Sequence, residues 1–310
     1  MAKTEQKTGR NSGQTVNILL AVICIVLCAL SIYFYRACDS LNTAVLSDDA
    51  ELSELLAIYD EKSAELAEVT ETREAFNDLD GKIAEIKEVY FKNAVKAEEL
   101  ARSGNADFKV CYLTFDDGPY VATTPLFLDV LEEYDVQATF FCLAKEGLDD
   151  LYKREKMNCH TIGNHTASHT IRYVYSSIDT FIKDLEENRE FIQNLLGITT
   201  DVMRFPGGSP QITYSGLNRT KMIERIQELH YGYIDWTLMT GDGGGPYFMT
   251  PDEFLHNVVD YSADYDVISV LMHDYSNNTL ACLPEMIEIL KEQGYIFLPL
   301  SYDAPIVKKE

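Results

Sequence analysis

Residues 112–120 read YLTFDDGPY, and two carboxylates, Asp116 and Asp117, close an apolar run patterned like a buried strand. Desolvating one ionised carboxylate is costly, and two side by side more so, unless each meets a cation or several hydrogen-bond donors. Further along, His165 and His169 stand i, i+4 in the segment HTASH. A helical turn there would project both imidazoles from one face. Neutral imidazole is a common zinc ligand, and three protein ligands with an open fourth position make a catalytic site. Either aspartate can supply the third ligand. Arg204 in RFPGG, the pair Asp235-Trp236, and His273 in LMH add a cation, an acid, an aromatic ring and a further imidazole.

Groups so far apart in sequence meet only if a fold gathers them. From Phe108 onward short apolar runs alternate with amphipathic segments. Strands are expected at Val110–Phe115, Ala138–Leu143, His160–Gly163, Val202–Phe205, Tyr233–Asp235, Val267–Met272 and Tyr295–Leu298. Helices are expected at Pro125–Tyr134, Ile178–Leu196, Lys221–Leu229, Pro251–Val259 and Leu283–Gln293. Strand and helix in turn predict a parallel sheet with helical crossovers. Seven such strands suit an α/β barrel slightly smaller than the eight-stranded one. Chemistry in such folds collects at the C-terminal ends of strands. Each residue singled out above stands at or just beyond such an end.

The segments TFDDGP (114–119), HTASH (165–169), RFPGG (204–208), DW (235–236) and LMH (271–273) resemble, in order, the five motifs of the polysaccharide deacetylases. This is the NodB-homology group, or carbohydrate esterase family four, and the resemblance covers roughly residues 108–300. It implies the distorted seven-stranded β/α barrel of that family. It also implies a metal triad of Asp117, His165 and His169, holding zinc or else cobalt or another divalent ion. Asp116 matches the catalytic base, Arg204 the arginine that holds it, His273 the general acid and Asp235 the acid that orients that histidine. Trp236 and Leu271 match the apolar walls around the acetyl methyl group. The residue after Pro206 is often aromatic in the family, its backbone N–H serving the oxyanion; here it is Gly207, which alters the shape of the sugar subsite. The activity implied is removal of acetyl groups, with a water held by the metal as nucleophile.

Asp242, in the glycine-rich stretch 241–245, matches none of these motifs and is expected to shape a loop over the mouth. His160, His230 and His256 also match none and are expected to be structural.

The formal net charge of −24 excludes a nucleic-acid partner, because phosphate binding needs a basic face. None of the seven cysteines forms a CxxC pair, so zinc-ribbon and thioredoxin chemistry are unsupported. A disulfide among Cys111, Cys142, Cys159 and Cys282 is compatible with the sequence.

The apolar run Val16 to Tyr35 is long enough to span a bilayer. Lys3, Lys7 and Arg10 precede it and an acidic stretch follows, which places the N-terminus in the cytoplasm and the rest outside. The expected organisation is a cytoplasmic tail (1–15), a transmembrane helix (16–36), a stalk (39–104) and a catalytic domain (105–310). The stalk has no proline and carries apolar residues at alternating three- and four-residue spacing: Leu52, Leu55, Tyr59, Leu66, Val69 and Phe76, then Leu79, Ile83, Ile86 and Tyr90. This suits a coiled coil with a register shift, a homodimer seam, or a helix packed on the following domain. A single-pass enzyme on such a stalk would face the cell wall, which favours N-acetylglucosamine of peptidoglycan as the substrate. The rivals are an O-acetyl xylan or exopolysaccharide esterase and a non-catalytic glycan-binding scaffold.

Overall fold

The computed structural model describes residue 36 and residues 90–104, 106–243 and 250–309. The expected transmembrane span and most of the stalk lie outside these. Among the described residues no helix is long and apolar enough to cross a membrane. The chain divides into two compact units, and the second, Phe91–Glu310, carries the α/β fold.

Among the described residues eight parallel strands build one sheet: β1 (Lys109–Asp116), β2 (Thr139–Cys142), β3 (Thr161–Asn164), β4 (Val202–Met203), β5 (Gly232–Tyr233), β6 (Leu238–Met239), β7 (Val267–His273) and β8 (Tyr295–Phe297). The order is β5-β4-β3-β2-β1-β7-β6, with β8 paired to the start of β1. β1 is central, flanked along its length by β7 and at its end by β2. It is buried on both faces, as its near-continuous apolar sequence requires.

The expected barrel is not closed. No ladder joins β5 to β6 among the described residues, and the sheet is an open, curled one. Its curl is measurable at Arg204, just past β4, whose guanidinium lies 2.8 Å from the Asp116 carboxylate at the end of β1. Those strands are three intervals apart, about 14 Å in a flat sheet. The outer edge at β5 is covered by the chain's own end, through an antiparallel bridge between Tyr233 and Lys308.

Among the described residues after 105 the helices are α1 (Thr124–Glu133), α2 (Asp149–Met157), α3 (Ile171–Val174), α4 (Ile178–Leu196), α5 (Pro210–Tyr214), α6 (Arg219–Glu228), α7 (Pro251–Ser262) and α8 (Asn277–Glu292). α4 shows why such segments are helical. Ser177 caps its N-terminus by accepting from Thr180 N–H, Gly197 ends it in the left-handed conformation, and Phe181, Leu185 and Ile192 bury one face. Among the described residues the core includes two clusters. One, around Phe115, Phe127 and Phe140, packs α1, α7 and α8 against the sheet. The other, around Phe181, Phe205 and Tyr233, packs α4 and α6.

Residues 91–102, expected at the end of the stalk, are helical and pack into this unit. Asn93, Ala94, Ala97 and Ala101 are buried, and so is Glu98. The Glu98 carboxylate accepts from Tyr112 Oη of β1 at 2.6 Å and from Arg102 Nε at 2.7 Å. Cys111, Cys142, Cys159 and Cys282 are all buried free thiols, so the four form no disulfide.

Candidate active site

In a regular strand, consecutive side chains point to opposite faces, so adjacent aspartates should diverge. β1 ends at Asp116, and Asp117 adopts φ 71°. That left-handed residue breaks the alternation and turns both carboxylates toward the same imidazole. His165 Nε2 lies 3.5 Å from Asp116 Oδ2 and 3.5 Å from Asp117 Oδ1.

His165 and His169 do not share a helix, contrary to the spacing argument. The segment after β3 is a loop in which Thr166 and His169 have φ 67° and 51°. The loop doubles back, and the two rings sit 4.8 Å apart. Asp184 of α4 ties it down, its carboxylate accepting from the N–H groups of Ala167 and Ser168 at 2.9 Å. His169 Nε2 reaches Asp117 Oδ1 at 3.4 Å.

This cluster has the properties of an open metal centre. Two atoms bound to one tetrahedral zinc sit roughly 3.3–3.6 Å apart, which matches both Asp117–histidine separations. Asp117 Oδ1 is buried and has no hydrogen-bond partner, an unfavourable state that a cation would relieve. His165 Nδ1–H donates to the Arg204 carbonyl at 2.8 Å, which leaves the Nε2 lone pair aimed at the cluster. Burial, aided by the neighbouring His169, pushes the His165 pKa down to about 3, so the ring is neutral as a ligand must be. Among the described residues, Asp117, His165 and His169 are the group able to hold a metal ion in this way.

Asp116 stands beside this group without joining it. Its Oδ1 accepts from Arg204 Nη1 at 2.8 Å, while Oδ2 faces the cluster. Arg204 is fully buried and spends its other donors on Thr114 Oγ1, the Ile234 carbonyl and the Asp235 carbonyl. Burial raises the Asp116 pKa, opposed by the charge of Arg204 and then of His273.

His273 ends β7 in register with Asp116, and its Nε2 lies 3.9 Å from Asp117 Oδ2. The acid that orients it is Asp242, not Asp235. Asp242 Oδ1 is 2.7 Å from His273 Nδ1, and its Oδ2 accepts from His273 N–H at 2.9 Å and from Thr279 Oγ1 at 2.6 Å. Burial disfavours the imidazolium, but the hydrogen bond and charge of Asp242, with Asp116 and Asp117 behind them, hold the His273 pKa above its ordinary value. The Asp235 carboxylate instead accepts from Ser209 N–H and Oγ–H and pairs with Lys308 Nζ at 3.0 Å. The sequence signal for Asp242 was its place just beyond β6. That strand is only two residues long, and without it Asp242 reads as a loop residue.

The remaining expected residues fall around this centre. Gly207 is exposed in the turn after Arg204, with φ 74°. Trp236 is half-buried and lies against Gly208, where a Cβ would come within 2.9 Å of its ring. Leu271 is buried on β7, two residues before His273 and so on the same face. His160 accepts from Ala138 N–H, and His230 stacks on Tyr302, both away from the site.

Comparison with known proteins agrees with this geometry. Residues 103–229 match the polysaccharide deacetylase family. The chain is 34% identical over 206 residues to the putative polysaccharide deacetylase YheN of Bacillus subtilis, covering 64% of this chain and 70% of that protein. The chain belongs to the polysaccharide deacetylase family. It is 31% identical to a peptidoglycan-N-acetylglucosamine deacetylase of Bacillus cereus over 64% of this chain and 71% of that protein. The catalytic domain of a peptidoglycan N-acetylglucosamine deacetylase from Eubacterium rectale has the same fold, with a TM-score of 0.60 and 32% identity. That alignment covers 65% of this chain and 92% of the other. Deacetylation is a hydrolysis, and the chain is accordingly a hydrolase of this family.

Proposed function

We propose that this protein removes acetyl groups from N-acetylglucosamine residues of peptidoglycan, using a divalent metal held by Asp117, His165 and His169. The observation that carries the reading is the unpartnered Asp117 Oδ1 between two imidazole nitrogens, beside an unliganded carboxylate and a third histidine. The relatives named above, two of them peptidoglycan N-acetylglucosamine deacetylases, support the substrate.

Zinc or a similar ion, when bound, would polarise the acetamide carbonyl and lower the pKa of a water. Asp116 Oδ2 would take the proton from the attacking water. Arg204 holds that carboxylate in place and opposes the rise in pKa that burial causes. His273 Nε2–H would protonate the leaving amine, so that the C–N bond breaks to give acetate and a free amino sugar. Asp242 opposes the effect of burial, favours the imidazolium and fixes its ring. Leu271, Trp236 and the Gly207 turn would bound the acetyl group and sugar.

The apolar run Val16 to Tyr35 and the seam at 52–90 support a membrane-tethered enzyme facing the wall, with a homodimer through the stalk as its assembly. The test is acetate release from purified peptidoglycan by zinc-loaded protein, before and after chelation and with acetylated xylan alongside. Release that survives complete metal removal, or that occurs only from xylan, overturns the reading.

A further inference from the structure

Asp274 follows His273 and is fully buried, yet the mechanism above gives it no part. Its Oδ2 accepts from the hydroxyl of Thr124, the first residue of α1, while its Oδ1 has no partner. A buried carboxylate with an idle oxygen is unfavourable and calls for a reason. The carboxylate lies directly against the Cα of Gly118, the glycine of the DDGP turn. A Cβ built there would lie 2.5–2.9 Å from Asp274 carboxylate atoms. Gly118 is not among the residues with positive φ, so its glycine provides space rather than conformational freedom.

The turn that leaves Asp117 is held on its other sides as well. Thr124 Oγ1, the hydroxyl that donates to Asp274, accepts from Tyr120 N–H at 2.6 Å. Leu143 N–H donates to the Gly118 carbonyl at 3.1 Å, and Lys145 Nζ donates to the Pro119 carbonyl at 3.1 Å. Asp274 is the member of this set covalently joined to His273. Asp116 and His273 are register partners on neighbouring strands, and the residues just past them, Gly118 and Asp274, are in contact. The two strand ends are thereby locked to each other beyond the last ladder bond.

We propose that Asp274, through Thr124 and Gly118, is a positioning residue that fixes the metal-facing carboxylate of Asp117 relative to the general acid His273. It touches neither ligand atoms nor substrate. Its effect is to hold two strand ends at one separation, which a reaction needing both groups on one acetamide is sensitive to. The inference rests on the deacetylase reading.

The test compares Thr124→Val, which keeps shape and loses the hydroxyl, with Thr124→Ser, which keeps the hydroxyl and loses a methyl group. In the zinc-loaded enzyme, Thr124→Val is expected to lower kcat at least tenfold with KM within twofold. Its zinc affinity, measured by competition with a chromophoric chelator, should weaken about tenfold, the scale seen for partners of metal ligands. Thr124→Ser should stay within threefold of wild type in both. A merely structural role predicts a lower unfolding midpoint for Thr124→Val with zinc affinity and kcat of the folded protein unchanged. Equal behaviour of the two variants, or a Thr124→Val variant matching wild type, overturns the proposal. Should Thr124→Val fail to fold, Asp274→Ala, which removes the acceptor, carries the same expectation. A wild-type protein that releases no acetate would instead sink the deacetylase reading, and zinc affinity would still rank the variants.

Discussion

Asp242 grips His273 twice, at the ring Nδ1 (2.7 Å) and at the backbone N–H (2.9 Å), with one carboxylate. A single side chain therefore sets both the position and the charge of the imidazole. Asp242→Asn would keep much of the shape and lose the charge. His273 acts as an acid only while protonated, and its folded pKa is raised, so activity is lost as pH rises through that value. Removing Asp242 lowers the pKa, and the alkaline limb of the pH–kcat profile should move to lower pH. At neutral pH kcat should fall by about 10²–10⁴. Asp235→Asn should leave that limb where it is. A limb that moves with Asp235 and not Asp242 would reverse the assignment.

Asp116 must be ionised to accept a proton. Arg204 is the charge nearest to it and opposes the effect of burial. In Arg204→Met, Asp116 should titrate higher, and the acid limb of the profile should shift to higher pH. The same change leaves a buried carboxylate without its partner, at a cost of about 3–5 kcal/mol in stability, measurable by urea unfolding. Asp116→Asn should abolish most of the rate while retaining zinc binding.

Loss of any metal ligand should behave differently. His165→Ala, His169→Ala and Asp117→Ala are each expected to bind zinc too weakly for stoichiometric recovery after dialysis. Metal analysis of the purified proteins reads this directly. A variant that keeps one zinc per chain removes its residue from the ligand set.

Gly118→Ala adds a methyl group where the Asp274 carboxylate already sits. Overpacking of this kind costs about 1–3 kcal/mol. The expected result is a lower unfolding midpoint in urea. An unchanged midpoint would mean that the turn has room to shift.

Glu98 is buried with Tyr112 as a partner. Tyr112→Phe removes a donor to a buried acid and should destabilise by about 1–3 kcal/mol. A fragment beginning at residue 91 should therefore unfold at higher urea than one beginning at residue 105, which lacks Glu98 altogether.

The sequence was most informative where pattern and chemistry coincide. β1, β7 and α4 are long or strongly periodic, and they emerge within a residue or two of their expected bounds. α2 was missed because its sequence, DDLYKREKM, is mostly charged and buries only Tyr152 and Glu155. β6, two residues long, offers no periodicity at all. That omission hid Asp242, and Asp235, beside the lone tryptophan, took the role in its place. The i, i+4 spacing of His165 and His169 suggested a shared helical face, yet their rings meet 4.8 Å apart without one. A loop with two left-handed residues, not a helix, turns the rings together. The gap between β5 and β6 was equally illegible, because closure depends on pairing between strands and not on any one segment.

Near the chain's end Lys308 bonds both ways with Tyr233 through the backbone and reaches Asp235 with its side chain. The segment at Lys308 is thus a fastening for the strand that would otherwise present open donors and acceptors to another molecule. Asp235 also receives the N–H and hydroxyl of Ser209, in the loop that follows Arg204. Loss of the Lys308 side chain would consequently be felt in two places at once, at the edge of the sheet and in the loop that carries Ser209.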